Sequence, residues 1–146
     1  MPTRDYADAD PRLVAKVTAA TDRFNATFRS LGYEARAIEV FRSAEEQMVA
    51  FKANRSRFDG VQRKSKHNTR PTHAIDFGVF RLKDGAYIDN VDGFDRAMLV
   101  ALYWSLGQLF QRFGLRWGGD WDNDGLLVVP DPDESLNDMP HAELPE

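Results

Sequence analysis

The sequence predicts an α+β fold in which a small antiparallel sheet is flanked by about three helices. Apolar residues recur at helical spacing in two long capped segments, and short β-patterned segments gather around an Asp-Gly hairpin signal. There is no strand-helix-strand rhythm of the kind that builds a parallel sheet. Asp10 followed by Pro11 is a helix cap with proline in the first turn, and Leu13, Val14, Val17, Phe24, Phe28 and Leu31 keep the helical period as far as Gly32. Ala35 to Phe41 alternates weakly and predicts a short strand. Ser43 and Glu46 then form a capping-box pattern that opens a helix reaching Asn54, which leaves Arg42 at a strand-to-helix junction. From Arg55 to Thr72 neither period is present, and a long loop is expected. His73 to Phe80 predicts a strand, Asp84-Gly85 a hairpin turn, and Tyr87-Ile88 the return strand. Asp92 caps a third helix with Leu99, Leu102, Tyr103, Leu106, Leu109, Phe110 and Phe113 on its apolar side and Gly114 as its stop. Leu115 to Trp117 and Leu126 to Val129 read as short β segments, and an acidic tail containing proline leads to His141.

The chain has 146 residues, 42% hydrophobic and 29% charged, with a formal net charge of −4. One domain spanning residues 1–146 is expected, and a chain of this length buries roughly two thirds of its unfolded surface without a disulfide or structural metal. Zero cysteines exclude thiol catalysis and every thiolate metal site, leaving His, Asp and Glu as strong ligands. Met1 to Asp10 is polar and acidic, and no window approaches the roughly 18 apolar residues of a membrane span. Neither a signal peptide nor a membrane span is expected, so the protein would accumulate in the cytoplasm. Charge is unevenly distributed. Lys52 to Arg70 holds seven Lys or Arg against Asp59 alone, whereas Asp120 to Glu146 holds nine acids and no Lys or Arg. The acidic balance and the presence of only one aromatic, Phe58, between the basic residues argue against nucleic acid as a partner. A solvated loop and a surface for an anionic polymer remain open for the basic stretch.

The three histidines are His67, His73 and His141. Catalytic zinc commonly takes three ligands from His, Asp and Glu, and His67, Asp76 and His141 would supply such a set, with His73 as a competitor. Asp76 lies inside a strand pattern, and His67 approaches from the loop before it. The alternative is an Asp and two His that only form hydrogen bonds. A hydrolytic zinc also needs a base for the proton of the attacking water, and Asp138 stands three residues before His141 with Pro140 between them. An acidic tail that merely contains an Asp is the competing reading. Asp120, Asp122, Asp124 and Gly125 match positions of a calcium-loop template, with Asp131 where the template has Glu, but the flanks lack both helices of an EF-hand. Calcium binding, a plain acidic turn and substrate contact by Asp120 or Trp121 all stay open there. Trp117 and Trp121 are candidates for cleft walls or for core.

Ser65-Lys66-His67, Ala74-Ile75-Asp76, Trp117-Gly118-Gly119-Asp120-Trp121 and Asp138-Met139-Pro140-His141 occur in this order. Together they resemble the zinc D-alanyl-D-alanine carboxypeptidase and L-alanyl-D-glutamate endopeptidase superfamily, the VanY-like peptidases, and within it the bacteriophage endolysins. The resemblance runs from Ala35 to the C-terminus and implies a Hedgehog/D,D-peptidase-like fold. It implies one zinc ion (Zn2+) on His67, Asp76 and His141, with Asp138 as catalytic base. Phe41-Arg42-Ser43 followed by Gln47 matches the family's Arg-Ser and Gln segment, so Arg42 would bind a substrate carboxylate or the developing oxyanion. Ser65, Asp120 and Trp121 would be further substrate contacts. The commoner family spacing between the first His and the Asp is seven residues with a Gly between them. Here it is nine, with Pro71-Thr72 where the Gly would fall, a longer form similar to phage members. Asp rather than Glu at position 138 leans towards the endopeptidases.

The implied function is a peptidoglycan peptidase of endolysin type, taking part in host lysis, that hydrolyses the L-alanyl-D-glutamate bond of the stem peptide with metal-activated water. It would be a monomer without a separate wall-binding domain, reaching the cell wall only after release. A D-alanyl-D-alanine carboxypeptidase and a non-catalytic wall- or peptide-binding module are the alternatives. A calcium ion (Ca2+) beside the zinc stays an open expectation.

Overall fold

In a computed structural model, which describes residues 3–53, 66–88, 94–120 and 139–145, the first helix begins at its sequence signal. The Asp10 carboxylate accepts from the Arg12 N–H at 2.8 Å, and α1 runs over Pro11–Phe28. A 3₁₀ turn over Arg29–Leu31 follows, closed by Gly32 at φ 93°. That tighter turn breaks the 3.6-residue period, so Leu31, the last of the periodic positions, is 66% exposed and not core. β1 spans Tyr33–Glu39, and α2 spans Ala44–Lys52 behind a complete capping box between Ser43 and Glu46. β2 covers Ala74–Arg81 and β3 Ala86–Ile88, joined across Asp84 and Gly85. α3 covers Phe94–Arg112, with Gly114 at φ 85° beyond its end. β4 is Arg116–Trp117 and β5 is His141–Glu143. The expected cap at Asp92 and the expected β segment at Leu126 to Val129 lie outside the described residues.

β2 is the centre of an antiparallel five-stranded sheet of order β1-β2-β5-β4. One edge of β2 pairs with β1 along most of its length. The other edge is shared, with β5 opposite Ala74 to Asp76 and β3 opposite Val79 to Arg81. A bulge between Ala37 and Glu39 brings Glu39 opposite Asp76, and His141 stands opposite Asp76 on the other side. Three chemically active side chains thus stand abreast across neighbouring strands.

Ile75, Phe77 and Val79 on the other face of β2 are fully buried. They belong to one core with Leu13, Val17, Ala20 and Phe24 of α1 and Leu99, Leu102, Leu106 and Phe110 of α3. The rings of Phe77 and Phe110 lie 5.1 Å apart. Asn25 ties α1 to the sheet, its buried amide exchanging hydrogen bonds with both the N–H and the C=O of Ala35. The Tyr103 hydroxyl accepts from the Val79 N–H and donates to Ile88 O, which fixes α3 against β2 and β3. No described helix is long and apolar enough to cross a membrane.

The N-terminal segment braces the approach to β2. Ala9 bridges to Thr72, the Asp10 N–H donates to Thr72 O, and the Thr72 N–H donates to Asp8 O. The Arg12 side chain and backbone N–H, both bonded to the Asp10 carboxylate, bring its pKa down to about 2. A carboxyl lowered on folding stabilises the protein above its unfolded pKa, near 3.9, and that contribution is lost as pH falls towards the folded value. Asp10→Ala is therefore expected to lower the urea midpoint at neutral pH, with a deficit that narrows as pH falls from about 4 towards 2. A deficit independent of pH would assign the effect to packing instead.

Candidate metal centre

Asp76 faces away from the core because Ile75 and Phe77 take the two adjacent inward positions of β2. His141 reaches it from β5, opposite in register. His67 comes from a 3₁₀ turn over Lys66–Asn68 that is held on both sides, since the Arg42 N–H donates to His67 O and the Asn68 amide donates to Arg42 O. The chain then turns through Pro71, pairs Thr72 with Ala9 and enters β2, which is the path of the nine-residue spacing. One donor atom each from His67, Asp76 and His141 lies within 4.8 Å of the others. His67 and His141 are buried, and their rings meet edge to face with centroids 5.2 Å apart.

The hydrogen bonds decide which ring atoms face inward. His67 Nδ1 lies 2.8 Å from Val40 O, a carbonyl that can only accept, so Nδ1 carries a proton and Nε2 is directed at Asp76 Oδ1, 3.2 Å away. His141 Nε2 lies 2.8 Å from Glu143 Oε1, leaving Nδ1 directed at the same Asp76 oxygen at 2.9 Å. Lys66 Nζ, 2.7 Å from Glu143 Oε2, keeps that carboxylate an acceptor. Two neutral imidazoles would aim lone pairs at a carboxylate oxygen, an arrangement satisfied by a cation or by protons on both inner nitrogens. Outer nitrogens bonded to acceptors with inner nitrogens converging on a carboxylate form the donor set that zinc takes, so the residues present fit the ion. Burial pushes the Asp76 carboxyl up, but the facing His67 and His141 outweigh it and hold the group well below the usual carboxylate range. For Glu143, burial is likewise outweighed, by the hydrogen bonds from His141 and Lys66, and its carboxyl lies below its ordinary value.

Glu143 is a site residue that the sequence reading missed. Its signal is a His-x-Glu step on one strand, where alternate residues share a face, yet it sits within an acidic tail whose other acids mask it. Glu143→Ala should weaken zinc binding about 10- to 100-fold, because the His141 ring loses the acceptor that fixes its orientation. Competition with a chromophoric chelator measures this, and circular dichroism of the metal-free variant separates it from unfolding. An unchanged affinity would remove Glu143 from the centre.

Arg42 stands beside the triad in a fixed pose. Its guanidinium forms a two-pronged pair with Glu39, donates to Gln47 Oε1 at 2.7 Å and lies 4.0 Å from Asp76 Oδ2. Gln47 is fully buried, and Glu39, brought across from Asp76 by the bulge, was absent from the sequence reading. His73 is half-buried, with Nε2 3.6 Å from the Asp10 carboxylate. It is not a member of the described cluster, for which it was the competing ligand. Asp120 is buried, and its carboxylate accepts from the Gln111 amide at 3.1 Å. Trp117 is core: its ring is fully buried and its Nε1–H donates to Met139 O at 2.7 Å. Ser65, Trp121, Asp138 and the acidic positions Asp122, Asp124 and Asp131 lie outside the described residues.

No family model matches the sequence, and a search of the curated proteins finds no match. Solved structures do match. A variant of the vancomycin-resistance D,D-pentapeptidase VanY from a VanB-type resistance cassette, solved in complex with Zn(II), aligns at TM-score 0.48 and 17% identity over 93% of this chain and 72% of that one. The L-Ala D-Glu endopeptidase ChiX of Serratia marcescens aligns at TM-score 0.60 and 18% identity over 99% of this chain and 90% of that one. The chain thus has the α+β fold of the ChiX endopeptidase, the fold class that its sequence predicts.

Proposed function

We propose that the protein is a zinc-dependent peptidoglycan peptidase of endolysin type that hydrolyses the L-alanyl-D-glutamate bond of the stem peptide. The observation that carries this reading is the convergence of His67 Nε2 and His141 Nδ1 on the Asp76 carboxylate, with both outer ring nitrogens bonded to acceptors. The fold shared with an L-Ala D-Glu endopeptidase supports the choice of bond.

In this reading His67, Asp76 and His141 hold one zinc ion, which when bound supplies a Lewis acid for the scissile carbonyl. Asp138, three residues before His141 in the sequence, takes the proton of the attacking water and returns it to the leaving amine. Glu39 and Gln47 fix the Arg42 fork beside Asp76, where a permanently charged planar donor steadies negative charge on the substrate. Ser65 and Trp121 are assigned to substrate contact. Asp120, turned to Gln111, is assigned to supporting the turn after β4. In this reading the protein acts as a monomer on the wall of a phage host.

Purified peptidoglycan digested with zinc-loaded protein, with and without chelator, tests the reading by mass spectrometry of the new ends. A new N-terminal D-glutamyl end that requires metal is expected. Free D-alanine instead would make the protein a D-alanyl-D-alanine carboxypeptidase, and binding without any new end would make it a wall- or peptide-binding module.

A further inference from the structure

Next to the metal centre the open face of the sheet carries a cavity of about 340 Å³, lined by Arg4, Ile38, Glu39, Asp76, Phe80 and Tyr87. One end of it is acidic, and the other is built of Ile38, Phe80 and Tyr87, with the Arg36 guanidinium, paired to Glu34, over the Phe80 ring. Phe80 and Tyr87, paired across β2 and β3, stack with ring centroids 5.4 Å apart, and both side chains pack over Gly78 together with Ile38. The acids at the other end are already engaged, Glu39 by Arg42 and Asp76 by the two imidazoles. Arg4 is different. It is exposed, and among the described residues its guanidinium has no hydrogen-bond or ion-pair partner. Its backbone is nonetheless fixed, because the adjacent Thr3 donates its N–H to Phe41 O and accepts from the Val40 N–H at its own carbonyl. The same two residues lead directly into Arg42.

We propose that Arg4 and the Ile38, Phe80 and Tyr87 shelf form a specificity pocket for a substrate residue that carries a free carboxylate on an aliphatic chain, next to the bond cleaved. The carboxylate pairs with Arg4 and the methylenes lie on the shelf. With Glu39 paired to Arg42 and Asp76 committed to the metal centre, Arg4 brings to the cavity a charge with no partner of its own among the described residues, and that charge selects an anion. This rests on the peptidase reading, in which the residue next to the bond is D-glutamyl. Arg42, held by Glu39 and Gln47, serves the reacting centre, and Arg4 reads the neighbouring residue.

The test uses two stem peptides that differ only in having the D-glutamyl residue's free carboxylate or its carboxamide. Wild-type protein should favour the acid about 10- to 100-fold in kcat/KM, the worth of one charge-assisted pair. Arg4→Ala should bring that ratio to within about 2-fold, and Arg4→Lys should restore part of it, at an unchanged melting temperature. Calorimetry with the same two peptides, their scissile amide reduced to a methyleneamine, gives the ratio of Kd values without turnover. No acid preference in wild type, or a preference that survives Arg4→Ala, overturns the inference. If zinc-loaded wild type cleaves neither peptide, the peptidase reading fails, and the Kd ratio still decides whether Arg4 reads the carboxylate.

Discussion

His67→Ala should purify with its zinc content near zero and peptidoglycan cleavage at background, whereas Asp138→Ala should keep stoichiometric zinc and lose about 100- to 10,000-fold in turnover. The contrast comes from the two roles. His67 contributes one of three converging donors and also anchors its loop through the Nδ1–H bond to Val40 O, so its loss removes a ligand and loosens the segment that carries it. Asp138 is assigned a proton and no ligand bond, so its loss leaves the donor set whole. Metal analysis after gel filtration, paired with release of new amines from peptidoglycan, separates the two. An Asp138→Ala protein that still turns over would move the base elsewhere, and a His67→Ala protein that retains zinc would break the ligand assignment.

The second large effect is expected where α3 packs on β4. A Cβ added at Gly107 in α3 would lie 2.1 Å from two ring carbons of Trp117, and one added at Gly119 would lie 2.4 Å from the same ring. Carbon atoms settle about 3.5–4.0 Å apart, so neither glycine can be replaced without displacing the indole. The ring has nowhere to go, lying between the two glycines with its Nε1–H bonded to Met139 O. Alanine at position 107 would improve helix propensity by about 1 kcal/mol, yet overpacking a full core costs about 3 kcal/mol, so the clash wins. Gly107→Ala should therefore lower stability by about 2 kcal/mol in urea unfolding. It should also weaken zinc binding, because the Trp117 bond to Met139 leads through Pro140 to His141. Trp117→Phe in the Gly107→Ala background should recover part of the loss, an interaction between neighbours that additive effects would not produce.

What the sequence made legible is local chemistry. The Asp10-Pro11 start, the Ser43 and Glu46 capping box, the Asp84-Gly85 turn and the Gly114 stop each act within a few residues, and each stands where it was expected. β5 was not legible. His141, Ala142 and Glu143 have no β propensity to speak of, and the segment becomes a strand only because β2 and β4 offer it partners. The roles of Glu143 and Glu39 were hidden for the same reason. A carboxylate that grips His141 or Arg42 looks like any surface acid until the register of β5 and the bulge in β1 place it. The place of His73 stayed open because nothing local connects it to Asp10, which approaches through the pairing of Ala9 with Thr72.

The strand order has a consequence for when the centre comes into being. His67 and Asp76 are separated by nine residues, but Asp76 and His141 by 65, and they meet only when β5 docks on the edge of β2. A nascent chain that has emerged as far as Leu115 already contains α1, α3, the central hairpin and two of the three converging donors, yet it has no closed triad. Pairings between distant residues form late in folding, since the loop must close before the contact stabilises it. On the proposed reading, a chain whose β5 has not yet docked beside β2 has no centre in which to hold the ion, and metal capture waits for that strand to lock into the sheet.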